Sequence, residues 1–338
     1  MVSGGEMSIA LCIKSHKISI ILALILVTSV VSACVGFFLI ERKPSAEATL
    51  RFVSVIHRHG ERAPERTYPL DPYQGESAWP EGLGALLQKG KESMFNLGRF
   101  LRHRYDGFFS TTYSPTEIFV LSSRLDRCIM SVQLLLAGLY PPIGTQMWNP
   151  DLLWQPIPVH SLNSGCDDGQ QGLPLPQWAQ GDVQDRLRSL ALVGKLGIFK
   201  SPVYVKLESG VLINEILSNM EKKTNSSNNF GRRLSLYSAH DATIVRLWRG
   251  LKISREIAEV DYGAAIIIEL HETKDKYRVK ILFKKSTSDE NLEILKVRGC
   301  EYDQNTVDDG MCDLDSFSAA MQSSIITNFD EACQNKKK

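Results

Sequence analysis

Residues 18–40 (ISIILALILVTSVVSACVGFFLI) run for 23 positions without a charge, and no other feature limits the fold of this chain so strongly. As a helix at 1.5 Å per residue the run spans roughly 34 Å, enough to cross the hydrocarbon core of a bilayer. Lys14, His16 and Lys17 precede it, and Glu41, Arg42 and Lys43 follow. The apolar region of a cleaved signal peptide is shorter, about 7–15 residues. The expected layout is therefore an uncleaved signal anchor at 18–40 behind a tail of residues 1–17. Residues 41–49 form a linker and 50–338 the folded domain. Ser32-Ala33-Cys34 is a usable cleavage site, so secretion is the second reading. Both readings place the domain outside the cytosol, in a lumen, at the cell surface or secreted.

The first 49 residues hold four Lys/Arg and three acids, so the other 289 residues carry 35 charges of each sign. That balance argues against nucleic acid as a partner. Five of the seven cysteines (Cys128, Cys166, Cys300, Cys312, Cys333) lie beyond the apolar run, with Cys12 and Cys34 in or beside it. Their spacing lacks the close Cys and His pairs of a zinc site. Asn225-Ser226-Ser227 is a glycosylation sequon in a polar stretch, in keeping with export.

Past the linker, apolar β-branched runs alternate with helical patterns, which predicts an α/β sheet. Strands are expected at 50–56, 118–121 and 233–238, and a hairpin from 264–270 and 277–283. Helices are expected over 83–105, 126–139, 211–223, 242–251 and 313–328. Residues 141–182, rich in Pro, Gly and Trp, show no period. The first strand runs into Arg58-His59-Gly60-Glu61-Arg62-Ala63-Pro64, and the third into His240-Asp241. In α/β sheets, ligands bind beyond the carboxyl ends of the strands, where both segments fall.

Two arginines flanking an imidazole suit a phosphate. Guanidinium forks offer paired charge-assisted bonds to its oxygens, and a neutral imidazole can attack phosphorus. His240 adds a second imidazole, and Asp241 a carboxyl able to protonate a leaving alcohol.

The RHGxRxP motif with its late His-Asp pair resembles the histidine acid phosphatases, within the phosphoglycerate-mutase-like superfamily. Segments such as WNPDLLWQPIPVH, LPLPQWA and GVLINEIL, together with the helix after the motif, extend the resemblance over roughly 50–335. It implies a mixed sheet flanked by helices, with a helical cap. His59 would be the nucleophile and Asp241 the proton donor. Arg58, Arg62 and His240 would bind the phosphate of a small monoester. No metal or cofactor is implied, a second copy of the chain stays open as a partner, and Cys300–Cys312 resembles a local family disulfide.

Two departures follow from the same resemblance. A further phosphate-binding arginine is expected at a position held by Leu121, which makes Arg124, three residues on, a further candidate; for Arg124 and Arg127 an exposed helix face is the first reading and phosphate binding the second. The cap is shortened around 161–200. A catalytically impaired binding module is therefore the alternative to an enzyme. A metal-dependent hydrolase using His57 and His59 is a third reading. His57 and His160 otherwise read as structural.

Overall fold

The computed structural model describes residues 47–162, 201–302 and 310–327, apart from positions 69, 75–76, 226, 258 and 275. The expected anchor, most of the shortened cap, Cys12, Cys34, Cys166, Cys333 and Trp178 lie outside the described residues. Among the described residues, no helix is long and apolar enough to cross a membrane.

Among the described residues, eight strands form one mixed sheet. They are β1 (Leu50–Arg58), β2 (Ile118–Ser123), β3 (His160–Leu162), β4 (Leu234–Ala239), β5 (Ala265–Thr273), β6 (Lys276–Lys284), β7 (Glu293–Leu295) and β8 (Met311–Asp313). Their order is β3-β2-β4-β1-β5-β6-β7, with β8 also paired to β6. The β3, β2, β4 and β1 strands are mutually parallel, while β5 to β8 add antiparallel pairings. Among the described residues the α-helices are α1 (Gln88–Arg104), α2 (Asp126–Leu139), α3 (Pro202–Thr224), α4 (Asp241–Gly250) and α5 (Leu314–Met321).

The central strands are buried on both faces, which is why β1 and β4 read as nearly continuous apolar runs. Alternate residues of β1 serve opposite layers. Phe52 and Ile56 join Ile213, Leu217, Leu247, Trp248 and Phe317 from α3, α4 and α5. Val53 and Val55 join Met94, Leu97, Val132 and Leu135 from α1 and α2. Fully burying a large aliphatic side chain is worth about 1.5–3 kcal/mol, so each face holds the sheet strongly.

Local signals account for most element boundaries. Helix α2 occupies the expected 126–139. Helix α3 starts earlier than expected because Pro202 lies at its first turn, where a missing N–H costs nothing. Helix α1 starts later, at Gln88, because Gly82 and Gly84 adopt positive φ and keep Leu83 outside the helix, half-exposed. The three-residue strands β3, β7 and β8 were not anticipated, being too short to show a period.

Glycine also decides how the first strand leaves the sheet. A Cβ on Gly90 would lie 2.1 Å from the Glu61 carbonyl oxygen, and one on Gly60 would lie 2.5 Å from that of Gly90. The turn after β1 therefore rests directly on the start of α1. Ser131 of α2 accepts a bond from Gly60 N–H at 3.0 Å.

Candidate active site

β1 and β4 run side by side with Arg58 opposite Ala239. The next residue of each chain segment is a histidine, and His59 N–H donates to the Ala239 carbonyl at 3.0 Å. The rings of His59 and His240 meet edge to face with centroids 5.5 Å apart. Residues 181 positions apart are thus brought together by parallel pairing alone.

His59 is 2% exposed. Its Nδ1 lies 2.9 Å from the Gly60 carbonyl oxygen, which only accepts, so Nδ1 carries the proton. Nε2 is left with its lone pair and accepts from Arg127 Nε at 3.1 Å. Burial holds the His59 pKa well below the ordinary value; the Gly60 bond opposes this, and the charges of Arg58, Arg127 and His240 reinforce it. The site therefore favours the neutral imidazole.

Arg58 and Arg62 lie on either side of His59 in the chain. Arg58 donates from Nη1 to the Val260 carbonyl at 2.6 Å, stacks 3.7 Å above the Tyr262 ring, and places Nη2 3.8 Å from Asp241 Oδ2. Arg62 is wholly buried and donates from Nη1 to the Ala63 carbonyl at 2.9 Å. Among the described residues, Nε of both arginines and Nη2 of Arg62 have no hydrogen-bond partner, although Glu65 Oε1 lies 3.5 Å from that Nη2. Leaving a charged donor buried and unpaired costs several kcal/mol, a cost that an oxyanion placed among these groups would relieve.

His240 is half-buried, with Nε2 2.9 Å from Ser123 Oγ at the end of β2 and the Cys128 thiol 3.7 Å away. Asp241 opens α4, its Oδ1 accepting from Ala242 N–H at 2.7 Å. The predicted residues His59, Arg58, Arg62, His240 and Asp241 thus converge on one sheet edge.

Arg124 does not join them: it is exposed in the turn before α2. Arg127, expected on an exposed helix face, is instead 6% exposed. It is the second residue of α2, which begins at the same sheet edge, so its side chain turns inward. Besides reaching His59 it sets Nη2 3.0 Å from Glu65 Oε1, an oxygen also 3.5 Å from Arg62 Nη2. Glu65, Tyr262 and Ser123 were missed in the sequence, and Arg127 was read there with phosphate binding only as the second choice. Only Arg127 left a trace there, as a cation at the start of a helix following a strand.

Leu121 lies within β2, opposite Tyr237 and His160, and packs against the core. His160 stacks on Phe119, with centroids 5.2 Å apart, in keeping with a structural role. His57 is fully buried, bonded through Nδ1 to the Arg58 carbonyl at 3.0 Å, and burial lowers its pKa to about 4. Among the described residues, the side chains whose ligand atoms cluster as a metal site requires are Glu47, Glu269 and His271; His57 and His59 are not among them. The Cys300–Cys312 disulfide is formed. Asn225 is exposed just past α3, where its side chain accepts from Ser227 N–H at 3.0 Å.

The sequence model of the histidine phosphatase superfamily (branch 2) matches residues 49–173 and 200–284. This chain belongs to that family. Among its relatives, mouse prostatic acid phosphatase is 29% identical, covering 86% of this chain and 90% of the relative. Xenopus laevis lysosomal acid phosphatase is 30% identical, covering 84% and 79%. The mouse alignment spans 357 positions with only part of a 338-residue chain, so the relative carries residues that this branch 2 member lacks. Among solved structures, Hafnia alvei phytase has a TM-score of 0.54 at 15% identity, covering 85% of this chain and 99% of the phytase. Citrobacter braakii phytase has a TM-score of 0.53 at 15% identity, covering 82% and 98%. At that identity the phytases share the fold: a mixed sheet flanked by helices.

Proposed function

We propose that this histidine phosphatase superfamily member is an acid phosphatase, hydrolysing small phosphate monoesters through a phosphohistidine on His59. The observation that carries the reading is the state of His59: Nδ1 is tied to a carbonyl, Nε2 carries the lone pair and accepts from Arg127, and the Arg58 charge acts on the ring. Such a ring serves as a nucleophile without first losing a proton.

In the first half-reaction the Nε2 lone pair forms the P–N bond while the ester P–O bond breaks. Arg58, Arg62 and His240 hold the oxygens on which charge develops. Asp241, in its protonated form, gives its proton to the departing alkoxide. In the second, the Asp241 carboxylate takes a proton from water as the water oxygen attacks phosphorus. The P–N bond breaks, and inorganic phosphate and neutral His59 are released. The requirement for protonated Asp241 in the first half gives the acidic preference its cause.

Retention of every group in this scheme, with Arg127 beside His59 although Leu121 is apolar, gives the impaired-module alternative no support. We also infer that residues 18–40 anchor the domain on the extracytosolic side of a membrane, or direct its secretion. The disulfide and the exposed Asn225 sequon suit such a compartment.

The test is turnover of p-nitrophenyl phosphate at about pH 5 by wild type and His59→Ala. Alkaline quenching with 32P-labelled substrate should trap a base-stable, acid-labile phosphoprotein in wild type alone. Wild-type turnover no faster than that of His59→Ala refutes the reading.

A further inference from the structure

We propose that Arg127 binds the transferred phosphoryl group as a third guanidinium beside Arg58 and Arg62; the proposal rests on the phosphatase reading above. The geometry aims this side chain at the reacting nitrogen. Its Nε donates at 3.1 Å to His59 Nε2, the lone pair that must reach phosphorus. Attack cannot begin until that N–H finds another acceptor. A phosphorus atom in line for attack sits about 3–3.5 Å from Nε2, which brings its equatorial oxygens within reach of the same fork. The acceptor that displaces His59 from Arg127 therefore arrives with the substrate.

The surroundings of Arg127 agree with this assignment. It is buried at the first turn of α2, and Glu65 Oε1 holds Nη2 at 3.0 Å, so the fork is oriented before substrate binds. The same carboxylate oxygen lies 3.5 Å from Arg62 Nη2, and so one acid aligns two guanidiniums. β2 offers no cation here, because Leu121 packs against the core. Among the described residues, Ser123, Cys128 and His240 lie on that side of the site. In the resting site Arg127 also occupies the place a proton would take on Nε2, and so guards the nucleophile in acid.

The test compares full-length wild type, Arg127→Ala, Arg127→Lys and Arg124→Ala in detergent. Inorganic phosphate binding, measured by calorimetry, needs no turnover. The expected result is phosphate binding weakened about tenfold or more in Arg127→Ala. kcat/KM should fall roughly 10²–10³-fold, with Arg127→Lys recovering part of the loss as a point charge without the fork. Millimolar guanidinium chloride should raise kcat/KM of Arg127→Ala but not of wild type, a rescue that a structural role would not produce. If Arg127→Ala does not fold, Arg127→Lys carries the comparison. Phosphate bound within twofold of wild type by both Arg127 variants overturns the proposal. So does a loss that falls on Arg124→Ala instead. A wild type without turnover, whose phosphate affinity still depends on Arg127, would sink the phosphatase reading and leave this assignment standing.

Discussion

His57 makes this protein vulnerable to the acid its chemistry calls for. The ring is fully buried, and burial lowers its pKa from 6.5 to about 4, the Arg58 carbonyl bond opposing only part of the shift. The unfolded chain takes up the proton at higher pH than the folded one. The contribution of His57 is therefore complete above pH 6.5 and is lost as pH falls towards 4. Linkage over that interval amounts to about 3 kcal/mol, of which about 2 kcal/mol is lost between pH 7 and pH 5. The replacement His57→Asn keeps a donor near Nδ1 for the Arg58 carbonyl but does not titrate. Urea unfolding of both proteins at pH 7 and pH 5 isolates the effect, because all other titrations are common to the pair. Glu269 loses its contribution lower still, as pH falls from 4.5 towards about 2, where burial is outweighed by the bonds and charges of His271, Arg104 and Tyr105. Wild type should lose about 2 kcal/mol more than His57→Asn over the two pH values. Equal losses would refute the reasoning, as would a ring titrating near 6.5 by NMR in the folded protein.

Other perturbations give equally direct readouts. Asp241→Asn should cut kcat roughly 10²–10⁴-fold on alkyl phosphates, and far less on the burst of p-nitrophenolate, a leaving group that needs no proton; equal losses on both would contradict the donor role. Gly90→Ala, which in an open helix would stabilise by about 1 kcal/mol, should instead destabilise by about 1–3 kcal/mol in thermal unfolding and impair turnover. Its Cβ meets the Glu61 backbone at 2.1 Å and pushes the turn that carries His59. Cys312→Ser should lower stability by about 2–3 kcal/mol, the value of closing a short loop, with turnover retained at low temperature. The bridge ties the far edge of the sheet, away from β1 and β4.

Much of this molecule is legible from local pattern, since strand and helix periods are properties of neighbouring residues. The parallel core strands announce themselves as apolar runs because both faces are covered. The ends of β1 and β4 are marked by the groups that follow them, His59 and His240-Asp241. Helix α2 is readable to the residue because Asp126 opens it and Tyr140-Pro141 follows its end. The short strands β3, β7 and β8 were hidden, because three residues form a strand only when a longer neighbour supplies the pairing.

What the sequence determined by itself is the set of reactive groups and the sheet edge that bears them: His59 between Arg58 and Arg62, and His240-Asp241 behind a second strand. What only the tertiary structure decided is which groups touch, and in which state. Spacing cannot choose between Arg124 and Arg127, three residues apart at the mouth of one helix. The direction in which α2 leaves β2 exposes the first and buries the second against His59. Nor can spacing say which imidazole nitrogen holds the proton, since that depends on the Gly60 carbonyl and on how closely Gly90 lets the turn settle. Charge, burial and hydrogen bonding act over a few ångströms in space, and the residues that meet here are 68 and 181 positions apart along the chain.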